Sequence, residues 1–255
     1  MDLPADLVET LRTIRTLGAI TGPGVSAESG IQTYRGKGGL YDDEAEGDRT
    51  VAALSAPTLR RDPDRTWRVV AELARKAVDA APNPGHHALV AMEDALEQFV
   101  LLTQNVDGLH REAGSRNVID IHGDVLDVRC MTCEHRGRLT PAEVRPLDAA
   151  PPCPACGGVL RPDAVLFGEM LPEAKILRLY EEMLERPPEL VLIAGTTAVF
   201  PYIVEPVLVA ARAGIPTVEV NPEPTDVSPV VRWSLRGTAG EVLPLMAGVI
   251  RDADA

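Results

Sequence analysis

Four cysteines constrain this 255-residue chain more than any other feature. They fall as two matched pairs, Cys130-Met-Thr-Cys133 and Cys153-Pro-Ala-Cys156, with nineteen residues between the pairs. Each C-x-x-C sets two thiolates on one tight turn, and two such turns close a tetrahedron around zinc. Separations of about 15–20 residues are characteristic of such sites. The pattern predicts Cys130, Cys133, Cys153 and Cys156 as ligands of one zinc ion. All four positions are sulfur, so none stays open for chemistry and the ion is structural. A redox dithiol would instead need one exposed, low-pKa pair. The zinc module is expected over residues 129–158, a piece with too little core to fold without its metal.

The rest of the chain alternates short apolar runs with helical patterns. The runs are Leu17–Thr21, Phe99–Thr103, Val118–Ile121, Leu190–Ala194 and Thr217–Val220. Most are nearly continuous in apolar residues, as strands buried on both faces must be. Helical periodicity runs from about His86 to Gln98, Glu173 to Leu184 and Tyr202 to Arg212. The β-α-β-α order predicts an α/β fold with a doubly wound parallel sheet. Aromatic residues make up only 4% of the chain, so its core must be built from Ala, Val, Leu and Ile. Residues 36–84 hold a helical segment at Pro63–Asp79 and no convincing strand. We expect residues 1–35, 85–128 and 159–255 to form the large lobe, with 36–84 and 129–158 as two modules of a smaller one. Arg251–Ala255 is expected to fray.

No apolar run of about 18 residues is present, which argues against a membrane span. The N-terminal stretch mixes acids and bases and has no secretion-signal pattern. A cytoplasmic location is the default expectation. The net charge of −13 repels phosphate backbones and disfavours a nucleic-acid partner. It suits a basic peptide, although plain solubility is the simpler reading and is favoured over it.

Five motifs follow strand ends, where open α/β sheets bind ligands. After the first strand, Gly22, Gly24 and Ala27 match G-x-G-x-x-A, a turn that lets backbone approach a pyrophosphate. A plain Gly-rich turn fits these residues as well. Pro23 removes one N–H from such a cradle. The acidic stretch Asp42–Glu46 lies at ribose-binding distance along the chain but follows no strand, which disfavours a standard dehydrogenase. After the second strand come Gln104, Asn105 and Asp107, suited to an amide-bearing ligand or to an ordinary turn. Ile121-His122-Gly123 sets an imidazole at a strand end, placed for general-base work. His86 and His87 read as packing or surface residues. Gly195-Thr196-Thr197 suits phosphate, and Asn221 with Glu223 suits ribose hydroxyls.

Taken together, GPGVSAESGIQTYRGKGGLY, PNPGHHAL, TQNVDGLHREAGS, IDIHGD, CMTC, CPAC, RPDAVLFGEMLP, AGTTAVFP, VNPEP and GTAGEVLP resemble the sirtuin (Sir2-like) family from about Gly18 to Pro244, in the family's order. The resemblance implies a Rossmann-like lobe, a smaller lobe of a helical module and a zinc ribbon, and a cleft for NAD and an acyl-lysine peptide. It implies an NAD-dependent protein lysine deacylase, most simply a deacetylase. The acyl group would pass to ADP-ribose with release of nicotinamide.

The family pattern also assigns roles. His122 would accept a proton from a ribose hydroxyl, and Asn105 would share the catalytic site. Gly22, Pro23, Gly24, Val25, Glu28, Tyr34 and Arg35 would wrap the pyrophosphate and nicotinamide ribose. Gln104, Asn105 and Asp107 would form the nicotinamide side. Gly195, Thr196, Thr197, Asn221, Glu223 and Ala239 would meet the adenosine half. Val165, Phe167, Gly168 and Glu169 would take the substrate peptide as an added strand.

The chain departs from the family pattern at Pro23, Gln32, Tyr34 and Thr197. Relatives that prefer acidic acyl groups carry Tyr-x-x-Arg where this chain has Val70 and Leu73, which predicts a preference for neutral acyl groups. A sirtuin-fold ADP-ribosyltransferase or NAD hydrolase is the alternative activity.

Overall fold

The computed structural model describes residues 2–33 and 44–253. Tyr34 and Arg35, both expected at the cofactor, lie outside the described residues.

The large sheet contains β1 (Thr16–Thr21), β2 (Gln98–Thr103), β3 (Val118–Asp120), β7 (Leu190–Ala194), β8 (Thr217–Val220) and β9 (Trp233–Leu235). Their order is β3-β2-β1-β7-β8-β9, and every neighbouring pair is parallel. The chain builds outward from β1 to β3 and then returns beside β1 to build the other way. The direction therefore reverses between β1 and β7, and the crevice beyond their carboxyl ends is the switch point where such sheets bind ligands.

Both faces of this sheet are covered, so alternate residues of one strand enter different cores. Leu190 and Leu192 face a layer with Leu89, Met92, Leu243 and Met246, from the helices Pro84–Ala95 and Ala239–Ala253. Val191 and Ile193 face Leu179, Ile203 and Val207, from the helices Glu173–Leu179 and Pro201–Arg212. That arrangement explains why these strands read as unbroken apolar runs.

The second sheet is antiparallel. It contains β4 (Gly123–Cys130), β5 (Arg136–Arg138) and β6 (Leu160–Ala164), in the order β5-β4-β6. One face packs on the helix Pro63–Asp79 through Val125, Val128 and Leu160 against Trp67, Val70 and Ala74. Trp67 is fully buried, and its Nε1 donates to the Leu160 carbonyl at 2.7 Å. The helical segment and the cysteine module thus share one core. The expected boundaries at 128/129 and 158/159 run through this sheet, because β4 begins at Gly123 and β6 follows the second cysteine pair. The last helix continues through Ala253, so Arg251–Ala253 is helical rather than frayed.

Candidate active site

The crevice between β1 and β7 is built by two loops in close contact. Gly24 N–H donates to the Gly195 carbonyl at 2.7 Å, and Gly22 N–H to the Ala194 carbonyl at 3.2 Å. A Cβ on Gly24 would stand 2.7 Å from Gly195 O, so only glycine permits this approach. The segment Pro23–Ser29 that follows is a seven-residue 3-10 helix, not the long α-helix of a dehydrogenase. The N–H groups of Gly22, Gly24 and Val25 are all spent on Ala194, Gly195 and Gly22. The glycines therefore serve loop-on-loop packing.

Polar side chains at the crevice come chiefly from the loop after β2. Ser26 donates to Asp107 Oδ2 at 2.7 Å, and Asn105 Nδ2 donates to Ser26 Oγ at 3.0 Å. This chain of donors fixes the Asn105 carboxamide and leaves its Oδ1 buried with no partner. A buried carbonyl oxygen without a donor costs about 1–3 kcal/mol, so the position favours an incoming N–H. A primary amide, such as the carboxamide of nicotinamide, meets that demand. Asp107 Oδ1 accepts the Leu109 N–H at 3.0 Å. Burial raises the Asp107 pKa, and the bonds from Leu109 and Ser26 pull it partly back. The hollow beside this network is lined by Pro23, Ile31, Leu73, Val106 and Val125. Ser26 lies within the Gly22–Arg35 stretch expected at the cofactor, with no role of its own assigned from sequence, and it joins the first loop to the second.

His122 lies just past β3, between two peptide groups that leave little freedom. Gly123 has φ +81°, and a Cβ there would sit 2.1 Å from the Asp163 carbonyl of β6. The His122 carbonyl accepts the Val165 N–H at 2.8 Å. The ring Nδ1 is 3.0 Å from the Gln104 carbonyl oxygen, which can only accept, so Nδ1 carries the proton. Burial lowers the His122 pKa; the Gln104 carbonyl opposes that shift, and Lys175 adds to it. The imidazole is thus neutral near pH 7, with its basic lone pair on Nε2. Gln104 reaches the opposite wall as well, since its Nε2 donates to Thr196 Oγ1 at 2.8 Å.

Other expected site residues divide. Gly195 and Thr196 line the switch point, and Thr197 is exposed beside them. Asn221 and Glu223 follow β8; Asn221 Nδ2 donates to the Glu223 carbonyl at 2.8 Å. Glu28 is engaged elsewhere. Its carboxylate accepts Gly240 N–H at 2.7 Å and Thr238 Oγ1 at 3.0 Å, capping the helix that begins at Ala239. In the substrate stretch, Phe167 N–H donates to Leu54 O and its carbonyl accepts Ala56 N–H, so both groups already pair with the helical module. Glu169 is held by Arg161 and accepts the Leu166 N–H, which shapes the turn.

The four cysteines gather as the spacing predicted. Their sulfur atoms all lie within 4.8 Å of one another, with Cys130–Cys156 at 3.6 Å and Cys133–Cys153 at 3.7 Å. A tetrahedral ion with Zn–S of about 2.3 Å requires S···S near 3.8 Å. N–H groups of Thr132 and Cys133 point at Cys130 Sγ, and that of Gly158 at Cys156 Sγ, as suits thiolates. The donor set fits zinc.

The Sir2 family model matches residues 22–201. The NAD-dependent protein deacylase 2 of Pseudomonas aeruginosa is 45% identical over 252 residues, covering 94% of each chain. NAD-dependent protein deacylase 1 of Archaeoglobus fulgidus is 40% identical over 249 residues, covering 97% of this chain and 98% of the relative. Among solved structures, a Sir2 homologue–NAD complex aligns with TM-score 0.86 and 36% identity over 100% of this chain and 96% of that one. A Sir2–p53 peptide–NAD complex aligns with TM-score 0.78 and 26% identity over 95% and 96%. The protein belongs to the Sir2 family.

Proposed function

We propose that this protein is an NAD-dependent protein lysine deacylase that moves an acyl group from a lysine side chain to ADP-ribose and releases nicotinamide. The observation that carries the reading is His122: a neutral imidazole with fixed tautomer, bonded through Nδ1 to the backbone of Gln104, whose neighbour Asn105 holds the amide-seeking oxygen. The named activities of the relatives support it.

Bound NAD supplies an electrophilic ribose carbon and a pyridine leaving group. Asn105 Oδ1 would accept the carboxamide N–H, with Ser26 and Asp107 holding Asn105 in place. The apolar hollow lined by Ile31, Val106 and Val125 would exclude water from a ring held there. His122 Nε2 takes the proton from a ribose hydroxyl, and Nδ1–H on Gln104 shares the resulting positive charge. Gly195, Thr196, Asn221 and Glu223 bind the adenosine half. The zinc ion on the four cysteines holds the small lobe and takes no part in the chemistry.

Substrates are acyl-lysine segments of proteins, and the cytoplasm is the compartment we assign. Among the described residues no helix is long and apolar enough to cross a membrane. The net charge of −13 supports basic peptides over nucleic acid.

Turnover of an acetyl-lysine peptide with NAD tests the proposal. The wild type should release nicotinamide and acyl-ADP-ribose. His122→Ala should lose about 10²–10⁴-fold in turnover with its melting temperature unchanged. Full activity in that variant would remove His122 from the reaction. Leu73 lines the hollow and Val70 is buried in the small-lobe core, so neither can meet an acyl carboxylate. Acetyl peptides should therefore turn over faster than succinyl peptides. The reverse order would make Lys76, which also lines the hollow, the counter-ion of an acidic acyl group.

A further inference from the structure

The second nitrogen of His122 is already occupied. Its Nε2 lies 2.6 Å from the hydroxyl of Tyr202. With the proton on Nδ1, Nε2 can only accept, so the phenol is the donor. Tyr202 is the second residue of the helix Pro201–Arg212, which packs on the face of the sheet opposite the last helix. Its ring stacks on Phe200 at 5.5 Å and 17°, and both rings stand edge-on to the imidazole, each 5.9 Å away. Burial pushes the Tyr202 hydroxyl up to about 12, so it stays protonated at any working pH.

An imidazole nitrogen has one in-plane lone pair and accepts one strong hydrogen bond. The proposed reaction needs that same lone pair for a ribose hydroxyl. Two donors cannot hold it together. We propose that Tyr202 is a positioning residue: in the ligand-free enzyme its hydroxyl caps the His122 Nε2, and the ribose hydroxyl of NAD has to displace it. This inference rests on the reading of His122 as the base. The cap holds the ring in the Nδ1–H tautomer and edge-on to Phe200, and it sets a competition at the catalytic nitrogen that opposes NAD binding. No proton passes through the phenol; the ribose proton goes directly to Nε2 once Tyr202 has swung aside.

Tyr202→Phe removes the hydroxyl and keeps the stacked ring. Calorimetry without peptide should give a dissociation constant for NAD roughly 2- to 10-fold lower than in the wild type, the worth of one neutral hydrogen bond. The kcat should stay within about twofold. A large fall in kcat with unchanged NAD affinity would mean that the phenol relays the proton, and would overturn the cap. No change in either quantity would overturn it too.

A readout free of turnover separates this from the base assignment. In ligand-free protein labelled with ¹⁵N-histidine, a donor on the Nε2 lone pair stabilises the neutral ring. The His122 titration should therefore move to higher pH in Tyr202→Phe. The charged groups facing His122, Lys175 and the Asp120 that binds it at 2.9 Å, are the same in both proteins. An unmoved titration would show that no such bond exists. Full turnover by His122→Ala would instead sink the base and leave the NMR test of the contact standing.

Discussion

The two sheets are held by different means. Strands of the large sheet are buried on both faces by helices, and Leu17, Ile20, Leu101, Leu102, Leu190 and Val191 are all at most 1% exposed. The small sheet has one covered face. Its β5 strand, Arg136–Arg138, is exposed along its length and lies beside the cysteine cluster. Apolar burial at about 25 cal/mol per Å² secures the first sheet without help. The second has a core of Trp67 with Leu, Val and Ala side chains on its one covered face, and its cysteine module draws further stability from metal. The cleft lies where the two meet, so each lobe can fail separately and still abolish activity.

Removing zinc gives the largest expected effect. Structural sites of this kind contribute about 10–16 kcal/mol in small modules. A strong chelator near pH 7.5 should abolish turnover and expose β4 and β6 to hydrogen exchange, while β1, β2 and β7 stay protected. Equal loss of protection in both sheets would show one cooperative unit and break the comparison.

Acid is the matching stress for the large lobe. His86 and His110 are buried in it, with ring centroids 4.8 Å apart. Burial and then His87 lower the His86 pKa to about 4; burial and then His86 lower that of His110 to about 3. In the unfolded chain both titrate near 6.5. Between those values the unfolded state carries more protons, so stability is full above pH 6.5 and falls as pH drops towards 4. From pH 6.5 to 5.5, with zinc retained, the pair should cost about 2 kcal/mol in the urea midpoint analysis. His110→Gln should remove about half of that slope. A flat profile would mean that these rings are not held neutral.

The same contrast explains what could be read from the sequence. Double-sided burial writes an unbroken apolar run, and the runs at residues 17–21, 99–103 and 190–194 end with the strands observed. Strands that carry charged residues among the apolar ones, some of them buried, leave no such mark. Gly123–Cys130 alternates Asp124, Asp127 and Arg129 with Val and Leu, and Leu160–Ala164 carries Arg161 and Asp163. Arg129 and Arg136 both pair with Asp163 across the sheet, a pattern visible only once register is known. The site divides likewise. His122 and Asn105 follow strands directly and could be read locally. Tyr202 meets His122 only because the helix Pro201–Arg212, packed on β7 and β8, brings a residue 80 positions on to the ring. Ser26 lies inside a legible motif, but its role depends on Asp107, 81 residues away.

The smallest effect concerns Glu28, where local reading and structure diverge most. The motif around it belongs to the cofactor loop, yet its carboxylate reaches residue 240, 212 positions on, and caps the last helix. Negative charge at a helix N-terminus is worth about 0.3–1 kcal/mol. Glu28→Gln keeps a hydrogen-bonding oxygen and removes the charge. It should lower the melting temperature by a few degrees at most, with salt shrinking the difference, and leave the KM for NAD unchanged. A raised KM at unchanged stability would return Glu28 to the cofactor. It would also mean that the helix Ala239–Ala253 is secured by its buried face against Leu89 and Met92 alone. The large lobe would then hold both its ends by apolar contact, and the difference between the two lobes would be greater than the structure already makes it.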